Sequence, residues 1–149
     1  MNLSALARVH LGPGYSVSSG SAFATPAWLR LMLLSGCAAA VALAALIGDP
    51  AAYLASDAEL ATPLRGMALI KAGIVLTAIS ALWWRLRRPV STRLALVYLV
   101  GTWWMVAASM LIWQLTLIPM AALTFHVGEI ALLLAAWRDW EAPRRTEAG

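Results

Sequence analysis

The chain has 149 residues, of which 62% are hydrophobic and only 12% charged, with a formal net charge of +4. So few polar groups cannot cover a soluble globule of this size, whereas lipid accepts an apolar exterior, so a soluble domain is excluded and the class is membrane. The basic residues sit at the ends of apolar stretches and form no continuous patch, which argues against nucleic acid as a partner.

In chain order, residues 1–26 lack hydrophobic periodicity, and Gly12-Pro13-Gly14 with the serines of 16–21 mark a flexible tail. Four apolar stretches follow, at 28–47, 66–84, 94–113 and 117–137. Each approaches the roughly 20 residues with which an α-helix crosses about 30 Å of hydrocarbon. Gly48-Asp49-Pro50 ends the first and Thr62-Pro63 opens the second, with a short interfacial helix expected at 51–61. Arg88-Pro89-Val90-Ser91-Thr92 turns between the second and third, with Ser91 or Thr92 as N-cap, and residues 115–119 turn between the third and fourth. Links this short make consecutive helices antiparallel neighbours. The fold expected is an all-α integral membrane protein, an up-and-down four-transmembrane-helix bundle over 27–140, with cytoplasmic tails at 1–26 and 141–149.

The arginines orient the bundle. With the N-terminus cytoplasmic, Arg8, Arg30, Arg85, Arg87, Arg88, Arg93, Arg138, Arg144 and Arg145 lie inside and Arg65 alone lies outside. Such a bias predicts that both termini are cytoplasmic, in a multi-pass protein of a bacterial inner membrane. Trp28, Trp83, Trp84, Trp137 and Trp140 fall at the cytoplasmic boundary and Trp113 at the outer one, where an indole is favoured.

Helix contacts in lipid cannot rest on the hydrophobic effect, so small residues that admit a close neighbour carry the packing. Gly36, Ala40, Ala44 and Gly48 recur every four residues and make a ridge on the first helix; Gly73, Thr77 and Ala81 make one on the second, and Gly128, Ala131 and Ala135 a looser one on the fourth. Cys37 is the single cysteine, so no intrachain disulfide forms.

The candidate chemistry lies in Lys71, His126 and Glu129. An ionisable group in hydrocarbon costs roughly 2.5–3.5 kcal/mol on insertion scales and normally faces inward with a partner. At 1.5 Å per residue, Lys71 lies about 9 Å below the outer boundary, His126 about 13 Å and Glu129 about one turn deeper. A buried Lys–His–Glu cluster is therefore expected, with Glu129 its anionic member. The bland reading has Lys71 snorkelling to the headgroups and Glu129 paired with Thr77 or Ser80. Trp103 and Trp104 sit mid-helix and point about 100° apart, so one of them can line a pocket.

Ligand counts limit the cofactor readings. Bis-histidine haem needs a second intramembrane histidine, and His10 lies in the tail. Copper could use His126 with Met67, Met105, Met110 or Met120, and a quinone could stack on Trp103 or Trp104. The sequence has no P-loop, dinucleotide fingerprint, HExxH, nucleophile elbow or CxxC. In size and helix count the chain resembles small bacterial four-helix inner-membrane proteins, including the DoxX-like group. Leu69-Ile70-Lys71, followed by an apolar helix ending in arginines, is similar to one helix of copper-resistance CopD-type domains. The further intramembrane histidines that this second resemblance would imply are absent, so it implies neither copper binding nor an activity here. The expected role is non-enzymatic: an accessory, assembly or scaffold-type subunit, without cofactor, in contact with lipid and with other membrane subunits or itself. The alternative is a haem-, quinone- or copper-binding or proton-conducting bundle built on Lys71, His126 and Glu129. For topology, reporter fusions after Ala58 and after Arg88 should give opposite accessibility, and equal accessibility would exclude the four-helix arrangement.

Overall fold

The computed structural model describes residues 26–49 and 58–147 and places the side chains of 27–49 and 59–141. All of the expected tail at 1–26 except Pro26, which starts the first helix, and most of the expected interfacial helix at 51–61 lie outside the described residues. Four helices make up the fold: α1, Pro26–Ile47; α2, Ala58–Arg85; α3, Thr92–Trp113; and α4, Ile118–Glu147. All four are long and apolar enough to span a membrane. They alternate in direction, so the start of α1, the α2–α3 turn and the later part of α4 share an arginine-rich end.

Two boundaries differ from the hydropathy pattern. α2 begins at Ala58, so Thr62-Pro63 does not open it and Pro63 lies inside, close to its start. Proline there removes one bond, to the carbonyl of Glu59, while Glu59 complements the positive end of the helix dipole. α4 runs on to Glu147, through most of the segment expected as a tail.

The turn after α3 follows from its hydrogen bonds. The Leu115 N–H donates to the Ile112 carbonyl at 3.0 Å and the Thr116 N–H to that of Leu111 at 2.9 Å, the paired bonds of a Schellman motif. Leu115 stands where glycine is usual, at φ 58°, and Leu117 also has a positive φ of 51°. Left-handed backbone costs a non-glycine residue roughly 1–2 kcal/mol. Leu115 is 3% exposed, and that burial holds the turn against its strain. At the other end of α3, Ser91 takes the extended N-cap conformation without a side-chain capping bond.

α3 is the centre of the bundle. Of its membrane window 56% is buried, against 11% for α1 and 22% each for α2 and α4, and each of the other helices packs on it. The core has two layers. Towards the arginine-rich end, Leu29 and Leu33 of α1 meet Leu82 and Leu86 of α2 and Tyr98 and Leu99 of α3. Towards the far end, Val75 of α2, Met105 and Ile112 of α3 and Phe125 of α4 close the core, with the partly buried Cys37 and Ala40 of α1 packed against it.

The tightest contact joins α3 to α4. A Cβ added to Gly128 would stand 2.8 Å from the Gly101 carbonyl oxygen, so the two backbones meet where neither residue has a side chain. On the α1 side, a Cβ on Gly36 would strike the Trp103 indole, and one on Gly48 the Gln114 side chain; Ala44 is buried and Ala40 partly so. The small residues of α2 lie differently: Gly73, Thr77 and Ala81 are exposed, and a Cβ on Gly73 would meet nothing within 4 Å. Gly128→Ala should therefore lower the melting temperature in detergent, by the equivalent of roughly 1–3 kcal/mol of overpacking. Gly73→Ala should leave it unchanged or raise it, and equal effects of the two would show that the crossing is not tight.

Candidate functional site

Lys71 of α2 and His126 and Glu129 of α4 lie near one another, and the structure links them through an aromatic ring. Lys71 is 8% exposed, its Nζ 3.9 Å from the centroid of the fully buried Phe125 ring. A cation over a phenyl face gains about 0.5–2 kcal/mol, more as water is excluded, which gives this lysine an alternative to snorkelling. Phe125 in turn meets the His126 imidazole edge-on, the ring centroids 5.7 Å apart. His126 Nδ1 lies 3.2 Å from Glu129 Oε2 across one turn of α4. Among the described residues, Lys71 forms no ion pair with Glu129. Thr77 and Ser80 hydroxyls donate to the carbonyls of Gly73 and Leu76 in their own helix, at 3.0 and 2.8 Å, rather than to Glu129.

The position of the His–Glu pair is unusual for a span. The His126 side chain is 60% exposed and that of Glu129 34%, on the outward face of α4, although both lie well within an apolar helix. Glu129 also borders a lateral groove of about 310 Å3 between α2 and α4, beside Thr77, Met105 and Leu132. Among the described residues, no group of three or more histidines, cysteines or acids is placed to hold a metal ion. Trp103 packs on α1, its Nε1 buried without a partner, while Trp104 projects outward, 49% exposed.

A second polar node, at the arginine-rich end, escapes the sequence reading. Arg85 of α2 donates from Nε and Nη2 to the two carboxylate oxygens of Asp139 on α4, at 2.5 and 2.6 Å. Tyr98 of α3 donates its hydroxyl to the same carboxylate at 3.1 Å. The bidentate pair fixes both distance and orientation between its partners, and the tyrosine brings in the third helix. Asp139 was legible as the acid between Arg138 and Trp140, but arginines near a helix end read first as topology signals and conceal a pairing 54 residues apart.

Three further arginines stack on tryptophan: Arg30 on Trp83 at 4.9 Å, Arg87 on Trp84 at 4.3 Å, and, at the far end, Arg65 on Trp113 at 5.6 Å. An apolar groove of about 680 Å3 lies between α1 and α2 with α3 as its floor, bordered by Cys37, Val41, Ala72, Val75, Ser109 and Trp113.

Compared with known protein families, curated proteins and solved structures, the chain matches none.

The Arg85–Asp139 pair is intermediate in exposure, 31% and 13% for the two side chains, so its coupling should fall between the roughly 0–1 kcal/mol of surface pairs and the 3–5 kcal/mol lost on breaking a buried one. In a double-mutant cycle on detergent stability, Asp139→Asn and Arg85→Gln should be clearly non-additive, and Tyr98→Phe should cost less than either. Additive single effects would mean that the node does not clamp the three helices.

Proposed function

We propose that the protein is a non-enzymatic, accessory or scaffold-type subunit of a larger membrane assembly, docked on its partner along α4. The observation that carries this is the His126–Glu129 pair on the outward face of that helix. An ionisable group facing hydrocarbon is costly, and the cost falls when a neighbouring helix supplies a hydrogen bond or an opposite charge. The partner that fits is a transmembrane helix bearing a hydroxyl, amide or basic side chain at the same depth. The arginine-rich end is the cytoplasmic one in this reading, with the protein in a bacterial inner membrane and both termini inside.

A photo-crosslinking residue at Val127, 44% exposed beside the pair, should give a discrete protein adduct in native membranes, while one at Leu43 on α1 should give lipid adducts. The Val127 adduct should disappear in a His126→Leu, Glu129→Leu background, which removes the polar contact without removing the helix. Adducts with lipid alone at Val127 would overturn the docking reading. An absorption spectrum and metal analysis of the purified protein test the alternative, since a Soret band or stoichiometric copper would show a cofactor-binding bundle instead.

A further inference from the structure

We infer that the groove between α1 and α2 is a binding site for one anionic phospholipid, its acyl chain in the groove and its phosphate at Arg65. The groove's borders on α2 run from Ala68 to Ile79. At 1.5 Å per residue that is about 16 Å, close to half of the roughly 30 Å hydrocarbon thickness. It is therefore one leaflet deep. An apolar groove of about 680 Å3, open on its side and running along that length, accepts extended alkyl chains.

The mouth of the groove supplies the charge selectivity. Trp113 borders it at the far end, and Arg65 lies over the Trp113 ring one turn before Leu69, another lining residue. Among the described residues Arg65 has no acidic partner, and its Nε is buried without an acceptor. An unpaired guanidinium beside an interfacial tryptophan is placed to receive a phosphate, to which it can donate two parallel hydrogen bonds. A lipid with no balancing cation in its headgroup is preferred there, because its full negative charge faces Arg65. The lining itself is almost wholly apolar, and its one hydroxyl, on Ser109, is already donated to the Met105 carbonyl at 2.8 Å. Nothing in it selects a polar ligand, so recognition divides between chain and headgroup.

The test is native mass spectrometry of the full chain extracted from vesicles of equal phosphatidylglycerol and phosphatidylcholine. The wild type should retain one phosphatidylglycerol in preference to phosphatidylcholine. Arg65→Gln should lower that preference about fivefold, the factor set by one cationic contact near an anionic surface. Ala72→Phe, which fills the groove, should lower retention of both lipids, while Leu43→Phe on the outward face of α1 should not. Arg65→Gln leaves the core intact, so its melting temperature also reports: added phosphatidylglycerol should raise that of the wild type and not that of the variant. Equal retention of the two lipids, an Arg65→Gln variant that behaves as wild type, or equal stabilisation of the wild type by soluble glycerol phosphate would each overturn the inference.

Discussion

Two helices in a bilayer gain nothing by hiding leucine from lipid, so their positions are set by where backbones can come close and where polar groups must be matched. In this bundle the first requirement is met along α3. Gly101 and Gly128 remove the side chains that would hold α3 and α4 apart, and Gly36 opens a seat for the Trp103 indole on the other side of the same helix. With both neighbours drawn onto α3, the remaining helix, α2, completes the core at Val75 and Leu82 and leaves its own small residues facing outward. The central place of α3 and the open groove between α1 and α2 are two results of one packing choice.

The polar groups follow the same logic of local satisfaction. Buried hydroxyls at Thr102 and Ser109 return to carbonyls of their own helix at 2.7 and 2.8 Å, so neither needs a partner across the bundle. Lys71 is matched by a phenyl face, and Arg85 by a bidentate carboxylate. Among the described residues, His126 with Glu129 is left outward and Arg65 Nε is left without an acceptor, so both direct chemistry beyond the bundle.

The four spans and their alternation were readable because hydropathy acts over some 20 residues and does not depend on tertiary detail. Helix ends were less so. Pro63 marks a break in most contexts, yet near the start of a helix it removes a single bond, which residue identity alone does not reveal. On α1, Gly36 and Gly48 lie against the side chains of Trp103 and Gln114, but the similar spacing on α2 faces outward, since spacing defines a stripe and not its neighbour. Depth along the helices put Lys71, His126 and Glu129 at similar levels but gave no angle about the axes, so the intervening Phe125 was invisible. The Arg85–Asp139–Tyr98 node needs three helices to be docked before it exists, and no local pattern encodes it.

Making the third helix the hub also orders events during biosynthesis. α1 and α2 leave the ribosome first, meeting each other at Leu29, Leu33, Leu82 and Leu86 near one end, with the other half of their shared surface waiting for Met105, Val106 and Ile112. At roughly 5–20 residues per second, the 28 residues from Arg85 to Trp113 take about one to six seconds to follow. For that interval the nascent hairpin sits in lipid half assembled, with Gly36 lacking its indole, and is exposed to insertion chaperones and membrane proteases in a way that the finished bundle is not.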